Sequence, residues 1–160
     1  MRKIIIPLVV IVFFAATSFS NGQNVEKEKE AIMEVIKAQT QASSNRDFNL
    51  LTSYWLQDES AVRVAASKDG FIYQSGWKEL QQAYKTGVKN NPEPSNNKKE
   101  YSDIKVKVYK ESAWAVFKET TYNSDGSLNN IQIGTRFLEK VDGKWKIVYM
   151  TFIVTSTYEE

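Results

Sequence analysis

The chain has 160 residues, with 21 lysines and arginines against 19 aspartates and glutamates, and neither cysteine nor histidine. Without histidine it lacks the commonest general base and metal ligand, so Ser-His-Asp and Cys-His catalysis and ordinary zinc sites are excluded. Without cysteine there are no disulfides, and the expectation is one domain held by its apolar core, with no metal and no cofactor.

Arg2 and Lys3 precede an apolar run from Ile4 to Ala16, and the small residues Ser18, Ser20 and Gly22 follow. A charged start, a short apolar core and a small-residue end are the three parts of a secretory signal. The run is shorter than the ~20 residues a membrane-spanning helix needs. The expectation is a signal peptide over residues 1–22, cut after Ser20 or Gly22, with the domain at 23–160. No cysteine follows the apolar run, so lipid attachment at such a residue is excluded. The product is expected to be exported, soluble, periplasmic or secreted, and free of the membrane after cleavage. Arg2 and Lys3 leave with the leader, so acidic and basic residues balance. A neutral chain with no basic stripe is not expected to bind nucleic acid.

Residues 24–44 have helical spacing, with Ile32, Val35, Ile36 and Gln39 on one face. Ser43-Ser44-Asn45 ends that helix. Asp47 is an N-cap for a short second helix carrying Phe48, Leu51, Tyr54 and Trp55. Val62 and Val64 alternate with Arg63, Lys68-Asp69-Gly70 is a turn, and Phe71 to Gln74 returns, which is a hairpin. Ser75 is placed to cap a third helix with the stripe Trp77, Leu80, Tyr84 and Val88, stopped by Asn90-Asn91-Pro92. Asn91 to Glu100 is polar and reads as a loop that includes Lys98-Lys99. Four strands with tight turns then form an antiparallel meander: Ile104 to Val108, Ala113 to Tyr122, Ile131 to Lys140, and Trp145 to Thr157.

The last strand is apolar at both parities. Trp145, Ile147, Tyr149, Thr151 and Ile153 fall on one face, and Val148, Met150, Phe152 and Val154 on the other. A strand with one wet face alternates apolar and polar, so both faces are expected to be covered. Helices cover one, and a second copy of the chain, in a homodimer through the sheet face, covers the other. The alternative is a twist that buries each half of the strand differently.

The order of elements, with Asp47-Phe48-Asn49-Leu50-Leu51 before Tyr54-Trp55, Asp58 to Val62, Ser75 to Leu80, Ser112 to Val116, Arg136 to Lys140 and Asp142 to Val148, resembles the nuclear transport factor 2-like superfamily. That group contains ketosteroid isomerase, scytalone dehydratase and the polyketide cyclase-like (SnoaL-like) proteins. The resemblance implies an α+β cone: three helices packed on a curved, mainly antiparallel sheet, in the order helix, helix, hairpin, helix, four-strand meander. It also implies a pocket between sheet and helices. The isomerase branch carries a carboxylate base near the first strand, where this chain has Arg63, Val64 and Ala65. Near the end of the fold, where histidines often stand, it has Tyr149 and Thr151.

The chemistry expected of that pocket is sparse. Asp58 is the candidate catalytic base, or else a turn residue after the second helix. Tyr54 and Tyr84 are either ligand hydrogen-bond donors or core aromatics with a wet tip. Trp55, Trp77 and Trp114 are core or pocket wall, and Phe117, Thr135, Tyr149 and Thr151 complete the expected lining. Arg136 has the opposite parity to Ile133, Thr135 and Phe137, so it is placed on the surface or at an interface. Three functions stay open: non-catalytic binding of a small apolar ligand, a lyase or isomerase acting on a polycyclic or hydroxylated substrate through Asp58 and tyrosines, and a dimerisation or interaction module.

Overall fold

The computed structural model describes residues 13–155, with side chains from residue 24 onward. Its elements run α1 (Phe13–Ser44), α2 (Phe48–Ser53), β1 (Val62–Ser67), β2 (Gly70–Ser75), α3 (Trp77–Asn90), β3 (Lys98–Tyr109), β4 (Ser112–Tyr122), β5 (Leu128–Val141) and β6 (Lys144–Thr155). The strands form one six-stranded sheet in the order β2-β1-β6-β5-β4-β3. Every neighbouring pair is antiparallel except β1 with β6. The expected helix-helix-hairpin-helix-meander order is therefore the observed one, with the helices packed on the sheet. The charged and apolar start of the expected leader lies outside the described residues. α1 runs through Ser20 and Gly22 and begins earlier than the expected residue 24; among its described side chains, the first that is fully buried is Ile32.

Local chemistry sets most boundaries. Asp47 accepts a hydrogen bond from Leu50 N at 2.9 Å and caps α2, as its residue type implies. Ser75 does not cap α3. The N-cap is Gly76 at φ 82°, a conformation that suits glycine, and Glu79 reaches back to accept from Ser75 N at 3.0 Å. The expected 91–100 loop is shorter than expected, because Lys98 and Lys99 already pair with Tyr122 and Thr121 in β3.

The core lies between the helices and one sheet face. Trp55, Phe117, Ile32, Ile36, Leu51, Leu80, Leu138 and Ile147 are almost fully buried there, each contributing about 1.5–3 kcal/mol relative to exposure.

The register of β6 explains its doubly apolar pattern. Phe137 pairs with Tyr149 but Leu138 pairs with Ile147, so Val148 is an extra, unpaired residue. Such a β-bulge bends the strand and reverses the side-chain parity beyond it. Trp145 and Ile147 face the helices before the bulge; Met150 and Phe152 do so after it. Tyr149, Thr151 and Ile153 consequently lie on the outer face, opposite Trp145 rather than beside it. The two parities are both apolar because each is buried along a different half of the strand, not because a single straight strand is covered on both sides.

Candidate functional site

The register places polar residues on the inner, helix-covered face in two cross-strand rows. Gln74, Arg63, Met150, Arg136 and Ala115 are successive neighbours across β2, β1, β6, β5 and β4. Gln132, Glu119 and Tyr101 are neighbours across β5, β4 and β3. A polar row inside a core-facing sheet surface is costly unless its groups are paired. Here Arg63, Met150 and Arg136 of the first row and Gln132 and Glu119 of the second form the floor of a cavity of about 150 Å³. α1 roofs it with Gln39 and Thr40 and rims it with Ser43 and Ser44, while Tyr84 of α3, Lys99 of β3 and Phe152 of β6 complete the wall.

Glu119 is fully buried. Its Oε1 accepts from Lys99 Nζ and, at 2.8 Å, from Gln132 Nε2, whereas its Oε2 is buried without a hydrogen-bond partner among the described residues. Arg136 is 2 % exposed. Its Nη1 donates to the carbonyls of Thr135 and Thr151, both at 3.0 Å, its guanidinium lies 5.3 Å from the centre of the Phe117 ring, and its Nε has no partner among the described residues. Arg63 is arranged alike: Nη1 donates to Gln74 Oε1 at 3.1 Å, the Tyr84 and Phe152 rings lie 5.5 and 5.4 Å away, and Nε is buried without a partner among the described residues. Gln39 Oε1 and Tyr84 OH are in the same condition.

Burial dominates the electrostatics. It pulls the Arg136 guanidinium down to about 10, against the favourable charge of Glu119. It pushes the Tyr84 hydroxyl up to about 12, although Arg63 and Arg136 oppose that rise. The Tyr101 hydroxyl is also raised, by burial first and by the Glu119 charge second. At neutral pH the cavity therefore presents a neutral Tyr84 phenol and a cationic Arg136 guanidinium.

The expected pocket residues are only partly brought together. Tyr84 lines the cavity, Phe117 supports Arg136 beneath it, and Trp55 is buried with its ring 6.0 Å from that of Tyr84. Trp77 is half-buried against the core. Tyr54 borders a separate surface groove with Val35 and Trp145. Thr135, Tyr149 and Thr151 sit on the outer sheet face, where the bulge at Val148 and the alternation of β5 direct them.

Asp58 is on the surface. Its carboxylate accepts from Ser60 N at 2.8 Å and Ser60 Oγ at 2.6 Å, and these bonds hold it below the usual aspartate range. It closes the turn into β1 and does not line the cavity. Arg136 corrects a second expectation: the parity relative to Ile133 is right, but Ile133 is the exposed partner and Arg136 the buried one.

Gln39, Glu119, Gln132 and Lys99 are not among the site residues that the sequence suggests. Their signal is a polar residue at a core-facing position: Gln39 within the Ile32–Ile36 stripe, and Glu119 at the parity of Ala113, Ala115 and Phe117. Among the described residues no group of three or more acidic side chains is placed to hold a metal ion.

Residues 32–152 match the SnoaL-like domain model. No curated protein matches the sequence. Solved structures with the same fold include a nuclear transport factor 2-like protein of unknown function from Pseudomonas putida (14 % identity, TM-score 0.64, covering 84 % of this chain and 91 % of that one). They also include a protein of unknown function with a cystatin-like fold from Nostoc punctiforme (15 %, 0.63, 81 % and 92 %). A third, from Novosphingobium aromaticivorans, is nuclear transport factor 2-like with a cystatin-like fold (13 %, 0.63, 89 % and 92 %). At such identities the likeness is one of fold alone.

Proposed function

The chain belongs to the SnoaL-like domain family, and from that premise we propose that it binds one small polar molecule in the cavity between the sheet and the helices, without transforming it. The observation that carries this reading is that five residues lining one cavity each hold a buried polar atom, Gln39 Oε1, Arg63 Nε, Tyr84 OH, Glu119 Oε2 and Arg136 Nε, with no hydrogen-bond partner among the described residues. Leaving a buried polar group unpaired costs about 1–3 kcal/mol each, and a ligand that pairs with several of them recovers that cost as affinity. The polar lining replaces the apolar ligand expected from the aromatic content. The cavity volume, below the ~300 Å³ where pockets for drug-sized ligands begin, also disfavours a polycyclic substrate.

Mass spectrometry of a solvent extract from the purified protein tests the reading. A small polar molecule is expected at near-stoichiometric amount, reduced in Gln39→Leu. A protein that carries nothing, and whose melting temperature responds to no member of a library of small polar metabolites, would sink it.

A second reading, proton transfer on a bound substrate, is favoured by Glu119 Oε2 alone, a buried carboxylate oxygen left free inside the cavity. Turnover that disappears in Glu119→Gln while ligand retention persists would move the reading from binding to catalysis.

Two supporting features concern the molecule's setting. Trp114, Ile133, Tyr149 and Ile153 leave an apolar outer sheet face exposed, which suits self-association. The leader-like start suits export, with a mature N-terminus at Asn21 or Gln23. No described helix is long and apolar enough to cross a membrane.

A further inference from the structure

The two arginines of the cavity present the same edge. In each, Nη1 is committed to a protein acceptor, Gln74 Oε1 for Arg63 and two backbone carbonyls for Arg136, while Nε is buried and has no partner among the described residues. In a planar guanidinium the Nε–H and one Nη2–H are parallel and form the fork that grips two oxygens of one carboxylate. The register sets the pair two strands apart in one row, on either side of Met150, so ~10 Å separates their backbones and both side chains reach the same cavity.

The charge balance points the same way. The wall holds Arg63, Lys99 and Arg136 against the single carboxylate of Glu119, and that carboxylate is paired with Lys99. Neither guanidinium is ion-paired among the described residues. A buried guanidinium without a counter-charge is strongly disfavoured, and a bound anion supplies the missing charge.

The acceptors define the rest of the ligand. Glu119 Oε2 and Gln39 Oε1 are buried acceptors that need donors. Sulfate has no donor to offer and repels Glu119, and hydrogen phosphate brings its one hydroxyl with a double negative charge that Glu119 repels. A carboxylate with a hydroxyl or amino group nearby satisfies both ends. Cavities of about this volume hold a molecule of benzene's size, ~six heavy atoms.

We infer that the cavity's ligand is a small hydroxy or amino carboxylic acid, its carboxylate taken by the free edges of Arg136 and Arg63 and its hydroxyl or ammonium donated to Glu119 and Gln39. This rests on the cavity being a binding site, as proposed above, and names the chemistry it selects.

Calorimetric titration of the full chain with lactate, alanine, 1,2-propanediol and inorganic phosphate tests it. Lactate, alanine or both should bind, and propanediol, which has lactate's shape without the carboxylate, should bind at least about tenfold more weakly, the cost of losing a charge-assisted pair. Arg63→Gln, at a half-buried position, should weaken the binding acid about tenfold with its circular dichroism spectrum unchanged. Arg136→Lys keeps the charge but loses the fork, and should weaken it similarly. Propanediol binding as well as the acids, or phosphate binding in preference to them, overturns the inference while leaving the binding site standing. An extract that yields a neutral molecule does the same. Failure of all four probes, with an extract free of any small molecule, removes the inference and the binding site together.

Discussion

At the scale of single residues, the site depends on a close approach between neighbouring strands. Gly134 of β5 pairs with Phe117 of β4, and a β-carbon at Gly134 would lie 2.6 Å from Phe117 Cε2. The Phe117 ring is 1 % exposed and fixed by its surroundings, and it carries the Arg136 guanidinium on its face. Gly134→Ala is therefore expected to destabilise the protein by about 1–3 kcal/mol, the usual penalty of overpacking, and to shift Arg136. The check is urea denaturation alongside ligand titration. Unchanged stability would mean that the ring moves aside freely. The glycine is visible in the sequence but its reason is not, since a glycine within a strand marks a close approach without naming the residue that approaches. Asp47 is the contrary case, because an N-cap acts within its own four residues.

At the scale of elements, α1 and β6 show where local pattern suffices and where it fails. α1 is fixed to the end of the meander by Glu28, which accepts from Lys140 Nζ at 2.6 Å and from Trp145 Nε1 at 2.7 Å. Those two bonds hold its carboxyl below the ordinary value of 4.5. A carboxylate with a depressed folded value stabilises the fold above its unfolded value, and loses that contribution as pH falls through the folded one. Glu28→Gln should thus cost about 1 kcal/mol at pH 7, with the difference from the parent protein closing below pH ~4. Denaturation curves at pH 7 and pH 3.5 read this directly, and a gap of equal size at both would refute it. The helix was legible because its apolar spacing is uninterrupted. The β6 faces are not legible in the sequence because the bulge at Val148 is fixed by its partners: consecutive β5 residues Phe137 and Leu138 pair with Tyr149 and Ile147 and leave Val148 out, and Ile147 exchanges backbone hydrogen bonds with Tyr54 and Leu56.

At the scale of the whole molecule, the sheet has one face under helices and one without. Cross-strand rows on the outer face run Trp114–Phe137–Tyr149–Val62, Val116–Thr135–Thr151–Val64 and Lys118–Ile133–Ile153–Ala66. Apart from Lys118 they are uncharged, and exposed apolar area of this kind marks an interaction surface. Light scattering at micromolar concentration is expected to give twice the chain mass, and Ile153→Glu, at a position 54 % exposed, to give the single chain with its fold intact. A single-chain mass for the unmodified protein would end the dimer proposal.

The architecture was legible from 160 residues because helices, hairpins and tight turns are set by spacings and turn residues that lie close together in the chain. The exclusion of histidine and cysteine chemistry followed from composition alone. Tertiary structure decided the site. Arg63, Glu119 and Arg136 stand on three strands with 55 residues between the first and second, and only the strand register and the covering helices determine that they face one cavity. Parity along a strand says which residues share a side; it does not say which side is buried, because that depends on where the helices pack.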